Sequence, residues 1–474
     1  MLLLSVAWGS TALAAWPHEA SVNLPICTAP FRQWRPAIVS DGAGGTLIAW
    51  PDCRPWGCGF DTIYMQHVLA SGVQDSTWIL DGVMASPAAG RQNHPLMVSD
   101  GAGGTIVAWD DNGSGEFDIY VQHVLASGKI DPGWDPGWDR GVPLSIASGD
   151  QYYADLVSDG LGGAIAAWHD ERNGINDVNI YANHVLASGV LHPAWPENGL
   201  ALSAAPRNQV LPKIASDGAG GAIAVWLDSR GDTTGGIYAQ HVSFDGQIDP
   251  NWPVDGAPVC AIGNPGYQQC IPDGNGGAIV AWEDRRSLNS DVYAQHITAA
   301  GLVAPGWPTG GLGLSTNVYP QMTPVLVSDG AGGAIVAWSD GRRSNRWDIY
   351  AQHVTGGGVI SWQADGAPVS TYAPSSKGSP TIVSDGNGGA VISWVDDRNG
   401  SSDIYAQHLL AAGTPDPVWP AGGAPVSYRH VRQGLFSCGH LCGCEHRHEG
   451  LAVLGDAVDR EQQLPHTRDQ GHLG

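Results

Sequence analysis

Acidic and basic residues recur in this 474-residue chain at fixed distances from a tryptophan. An Asp stands two positions after each of seven such tryptophans, and an Arg four positions after six of them. The resulting pairs are Asp52 with Arg54, Asp170 with Arg172, Asp228 with Arg230, Asp284 with Arg286, Asp340 with Arg342, and Asp396 with Arg398. The seventh Asp, Asp111, lacks the arginine. A guanidinium that close to a carboxylate forms a fork of charge-assisted hydrogen bonds. A further Asp often follows, as at Asp118, Asp291, Asp348 and Asp403. The set therefore reads as a structural clamp in which each Arg bridges two carboxylates. The other chemistry open to such carboxylates is calcium ligation. Asp110, Asn112 and Ser114 come nearest to it, although Val121 stands where an EF-type loop carries its bidentate acid. Apart from that calcium, the sequence implies no cofactor.

Seven histidines recur three residues after a tyrosine, from Tyr64/His67 to Tyr405/His408. On a strand two places out from the innermost one, neighbouring copies stand on the order of 10 Å or more apart. Zinc needs ligands near 2 Å, so these histidines are expected to pack and hydrogen-bond between repeats. Cys438, Cys442 and Cys444 cluster with His440, His446 and His448, but their spacing is not that of paired zinc knuckles. Catalysis needs a few unlike residues at one site, whereas the prominent polar residues here are those every repeat shares. Glutamate is scarce, and there is no Gly-x-Ser-x-Gly, phosphate-cradling loop or His-Glu-x-x-His. Catalytic residues are accordingly assigned to none of these positions.

The elements that must position these residues are short strands. Seven segments begin at Asp41, Asp100, Asp159, Asp217, Asp273, Asp329 and Asp385 and reach a Trp nine residues later, with a Gly-Gly pair between. Asp-Gly-x-Gly-Gly between two apolar runs is a hairpin signal. The run before the turn is strand A and the run after it strand B; strand C carries the Tyr and His, and strand D follows a second tryptophan. Four strands per unit, covered on both faces and repeated about every 57 residues, predict an all-β, seven-bladed β-propeller of four-stranded antiparallel blades. A solenoid would lack the hairpin punctuation. Trp16-Pro17 to Ile26 and Trp419-Pro420 to Val426 both resemble strand D, so one could close the ring and eight blades are the alternative.

The domain organisation follows. Residues 1–15 read as a signal peptide, with Leu2-Leu3-Leu4 and the small-x-small site Ala12-Leu13-Ala14. The propeller occupies 16–428, and 429–474 leave the repeat as a disordered or mistranslated tail. Cys53 and Cys58 flank a loop they could close, and Cys260 and Cys270 bracket another. A net charge of −24 opposes binding to phosphate backbones or anionic lipid, so no nucleic-acid partner and no membrane insertion are expected. The protein is expected to be secreted or cell-surface, and monomeric.

The combined pattern Ser-Asp-Gly-x-Gly-Gly…Trp-x-Asp-x-Arg…Asp-Ile-Tyr-Ala-Gln runs over residues 32–427 and resembles the repeat-built propellers of exported bacterial proteins. That resemblance implies fold and export. A weaker likeness to Asp-box propellers lacks their Ser-x-Asp-x-Gly spacing, so no catalytic residue is carried over from them.

The A–B turns never vary, whereas the B–C spacing from Trp to Tyr is 14, 11, 13, 12, 11, 12 and 11 residues along the chain. Variation on a rigid scaffold marks a binding face. The non-repeat aromatics Trp56, Phe117 and Trp347 fall there and are the expected ligand-binding residues. From sequence the chain is therefore expected to be a non-catalytic binding or scaffold module for a glycan or protein. The alternative is an extracellular, glycoside hydrolase-like carbohydrate-active enzyme using face-loop carboxylates.

Overall fold

The computed structural model describes residues 23–427 apart from 55–59, 89, 135–139, 232–234, 288, 344–345 and 372–374. The signal segment, the tail with its Cys/His cluster, Trp56 and Cys58 lie outside the described residues. Seven sheets, each a four-stranded antiparallel meander of consecutive strands, form an all-β ring of seven blades. In the second blade strand A is Gln92–Ser99, B is Thr105–Asp111, C is Asp118–Val124 and D is Val142–Ser145. The seventh blade ends on Ala424–Ser427, so the element after Trp419 completes it, and the eight-bladed alternative falls. The N-terminal segment instead lies at the seam between the first and last blades. There Asn23 Nδ2 donates to Ser427 Oγ at 2.8 Å and Thr28 N to Asp81 Oδ1 at 2.6 Å.

The hairpin turns form for a local reason. Asp41 Oδ1 accepts from the amides of Ala43 and Gly45 at 2.7 and 2.8 Å, so the side chain folds its own turn. A Cβ on Gly45 would lie 2.4 Å from Asp41 Oδ2, which is why glycine stands there. The repeat histidines complete this turn: each reaches its own blade's turn Asp, as His67 Nε2 does Asp41 Oδ2 at 3.1 Å. Their main tie is thus within the blade. The inter-blade bond falls mostly to the strand-D tryptophan, whose indole donates to the next blade, as Trp78 Nε1 does to Ala126 O at 3.0 Å. His184 and His296 also reach a carbonyl of the next blade.

Apolar side chains gather between blades rather than in one centre. Six clusters fill the six consecutive crevices from the first blade to the seventh. The last joins Ile335, Ile349 and Val369 to Ile392, Trp394 and Leu409. Both faces of most strands B are therefore buried, which accounts for their continuous apolar runs.

Candidate active site

The Asp and Arg pairs close as clamps at the start of the B–C loops. Asp340 accepts from Trp338 Nε1 at 2.9 Å and from Arg342 Nε and Nη2 at 2.7 and 2.6 Å. Arg342 Nη2 also donates to Asp365 O at 2.6 Å, and its guanidinium lies 3.8 Å from the Tyr350 ring centre. Arg172 pairs with Asp170, donates to Asn198 O at 2.7 Å and covers the Tyr181 ring at 3.7 Å. Arg230 pairs with Asp228, donates to Asp255 O at 2.6 Å and covers Tyr238 at 3.9 Å. Arg398 pairs with Asp396, donates to Gly422 O at 2.8 Å and covers Tyr405 at 3.7 Å. Arg54 with Asp52, and Arg286 with Asp284, repeat the arrangement.

The expected bridge between two carboxylates is therefore corrected for Arg54, Arg172, Arg230, Arg286, Arg342 and Arg398. In each, a carbonyl and a tyrosine ring take the place foreseen for the second carboxylate. The physical reason is that each Arg turns back over strand C, where the ring and the C–D connection lie nearest. The second Asp is held by other groups: Asp118 by Ser114, Asp291 by Ser287, Asp348 by Lys377 and Asp403 by Asn399. In the second blade Arg140 arrives from the C–D connection to pair Asp111, and Trp109 Nε1 is left without a partner.

A different set of residues surrounds the axis. The third residue of strand A in blades two to seven, and Arg35 just before strand A (Ala37–Ser40) of the first, have left-handed backbone: Arg35 (φ 39°), His94 (50°), Tyr153 (54°), Leu211 (54°), Tyr267 (53°), Thr323 (53°) and Ser379 (50°). Six of these interrupt the A–B register, as between Asn93 and Leu96. Non-glycine residues avoid this region, and a bulge re-aims the side chain it carries. Strand A starts on the B–C-loop side, so the ring sits at that mouth of the central opening. A second variable position is the middle residue of Trp-x-Asp. In three blades it is buried and titratable: Asp110, His169 and Glu283.

In the first three blades these two positions meet. His94 Nδ1 lies 2.7 Å from Asp110 Oδ2, and His94 Nε2 lies 2.9 Å from Arg35 Nη1. A guanidinium only donates, so Nε2 holds the lone pair and Nδ1–H donates to Asp110. Burial pushes the Asp110 carboxyl above its ordinary range, partly offset by His94 and the Tyr153 amide. The His94 ring stands 5.7 Å from Tyr153, which stands 4.8 Å from Tyr152. Tyr152 Oη donates to Glu171 Oε1 at 2.6 Å, and Phe117 lies 6.3 Å from the Tyr152 ring. His169 packs 4.0 and 5.1 Å from Tyr152 and Tyr153. Burial pushes its pKa down to about 3, so it is neutral, and neither ring nitrogen has a partner. Across the ring Glu283 Oε1 accepts from Arg285 Nη2 and Ser290 Oγ, while its buried Oε2 has no partner.

The other residues singled out from sequence are distributed as follows. Phe117 and Trp347 are half-buried before strand C of the second and sixth blades, each passing its carbonyl to the next strand A, at Gln151 and Lys377. Phe117 joins the cluster above; Trp347 stands on another arc of the ring. Asp110, Asn112 and Ser114 do not converge. Asp110 faces His94, Asn112 Oδ1 accepts from Arg91 N at 2.8 Å, and Ser114 Oγ bonds Asp118, whose carboxyl burial raises to about 6. Successive strand residues point to opposite faces, which separates Asp110 from Asp111. Among the described residues no three His, Cys, Asp or Glu side chains are grouped to hold a metal. Cys53 is disulfide-bonded, whereas Cys260 and Cys270 are free thiols. Sequence reasoning missed Arg35, His94, Tyr153, His169 and Glu171. The signal was present as unlike residues at fixed repeat positions, namely the third of strand A and the middle of Trp-x-Asp.

No family model and no curated protein matches the chain. Among solved structures it is similar to puromycin hydrolase, at 15% identity and TM-score 0.48, over 89% of this chain and 57% of that one. The chain therefore spans little more than half of that enzyme's length. It is also similar to an α-L-arabinanase of Penicillium chrysogenum, at 11% and 0.39, over 70% of this chain and 96% of that one. Polysaccharide lyase Uly1 follows at 9% and 0.43, over 68% and 77%. These likenesses reach the fold alone. The non-catalytic module expected from sequence is corrected at the central opening itself, because its premise fails there: one backbone position carries unlike residues around the ring rather than one repeated type.

Proposed function

We propose that the protein is an exported, glycoside hydrolase-like carbohydrate-active enzyme whose active centre is the opening ringed by the left-handed residues at the start of strands A. The observation that carries this reading is His94, fixed between the buried carboxylate of Asp110 and the guanidinium of Arg35 on a left-handed bulge. Backbone held in that region is costly, by about 1–3 kcal/mol, and collects at sites of function. Asp110 sets the tautomer, so Nε2 carries the lone pair; once a substrate draws Arg35 away from it, Nε2 can serve as general base and then acid. Glu171, one of few glutamates, supplies a carboxylate whose Oε1 is fixed by Tyr152. Tyr153, 41% exposed, and Phe117 offer rings on which a sugar can stack. Export rests on the apolar segment at 1–15, and no helix among the described residues is long and apolar enough to cross a membrane.

The test is a hydrolysis screen over arabinan, xylan, galactan and pectic polymers, followed by His94→Ala and Asp110→Asn on whichever is cleaved. Both variants should lower kcat at least about 100-fold while the far-UV spectrum is retained. Undiminished kcat in both, or no cleavage of any polymer, would overturn the proposal.

A further inference from the structure

We infer that the sugar taken by this opening is acidic, its anionic substituent met by arginines of the first two blades; this rests on the reading above and names the substrate class. Arg32 and Arg91 hold the same place one blade apart, each directly before a Gln paired with the clamp Asp of its own strand B: Gln33 bridges to Asp52 ahead of strand A, and Gln92 opens strand A opposite Asp111. The Arg32 and Arg35 guanidiniums lie 4.9 and 5.1 Å from the Trp34 ring, and Arg35 touches His94. The six clamp arginines, Arg140, Arg285 and Arg343 all pair with carboxylates. Arg32 and Arg91, by contrast, are exposed and make no ion pair among the described residues.

The sign reverses one blade on. The matching position in the third blade is Asp150, whose Oδ1 accepts from Phe117 N at 2.8 Å, and Glu116 and Glu171 stand beside it. Positive charge on blades one and two thus meets negative charge on blade three, and His94 and Tyr153 lie at the boundary. The whole chain carries −24, but charges beyond about 8 Å are largely screened, so the nearest groups decide what an entering substituent feels. A guanidinium fork matches paired anionic oxygens. An acidic sugar would therefore enter with its anion toward Arg32 and Arg91, which lays the glycosidic bond over His94, Tyr153 and Glu171.

A carboxylate and a sulfate ester share this chemistry, so the test has an arm for each. Calorimetric binding of polygalacturonate, a sulfated galactan and neutral arabinan is measured for the full chain and for Arg32→Ala/Arg91→Ala. Arg32→Lys/Arg91→Lys serves as a variant that keeps the charge and fold. We expect the acidic polymers to bind, the Ala pair to lose at least tenfold, the Lys pair to lose less, and about 0.5 M salt to weaken all of it. Whichever acidic polymer binds tighter identifies the substituent. Equal affinity for arabinan, or undiminished affinity in the Ala pair, overturns the inference. Cleavage of neutral glycans alone sinks it while leaving the enzyme reading intact; acidic binding without cleavage does the reverse.

Discussion

At Asp340 a carboxylate with no exposed surface is held by Trp338, Arg342 and the Arg342 amide. Burying a charge is costly unless it is paired, and removing one partner leaves the other uncompensated. Arg342→Ala should therefore destabilise the protein by about 3–5 kcal/mol in chemical denaturation. A loss below about 1 kcal/mol, the range of an exposed pair, would show that the clamp contributes little. The pairing itself was legible from Trp-x-Asp-x-Arg. The further partner was not: Arg172, Arg230, Arg286 and Arg398 each reach a carbonyl 24 to 26 residues on, and no sequence spacing reports a backbone oxygen.

Strand A is the element on which the candidate site depends. Its bulge breaks the A–B register in six blades, and Arg35, His94 and Tyr153 meet in series through the left-handed positions of the first three. Proline follows the left-handed residue in five blades, at Pro36, Pro95, Pro212, Pro324 and Pro380, which restricts that residue further. Ser379 is exposed, has φ 50° and belongs to no described cluster. Ser379→Gly should relieve the strain and raise stability by about 1 kcal/mol, read as a higher denaturation midpoint. A lowered midpoint would mean the bulge is not strained. The bulge escaped sequence reading because strand A is apolar on consecutive positions, so an extra residue breaks no alternation.

Across the whole molecule the face of A–B turns carries one repeated network, and pH acts on it as a set. Burial works against the charged form of Asp385, but His408 and the amides of Asn387 and Gly389 more than offset it and hold the carboxyl below its usual range. Asp41, Asp159, Asp273 and Asp329 are lowered in the same way, burial being outweighed by their own histidines and turn amides. Their contribution is present above the unfolded carboxylate value and is lost as pH falls through the lower folded one. His408 is raised by Asp385, with Asp416 adding to this. Its contribution is complete below the unfolded value near 6.5 and fades as pH rises through the folded one. The melting temperature should therefore fall steeply below about pH 4 and slip above about pH 7. His408→Gln should flatten the alkaline slope; an unchanged slope would remove His408 from the account.

The sequence by itself determined the seven blades, their four strands, the Asp-folded turns and the clamp pairs. These are local: turn residues act within five positions, and the Trp, Asp and Arg of a clamp lie on one strand and its exit. What the ring closes with, and where chemistry concentrates, only the tertiary structure decided. Ser427 completes the last blade because the strand beside it is already in place, a fact two equivalent sequence copies could not distinguish. Arg35, His94 and Tyr153 are about 59 residues apart in the chain and look like exceptions to three repeats. They become one site because closing the ring brings equivalent positions of successive inner strands side by side, at the axis where neighbouring blades are nearest.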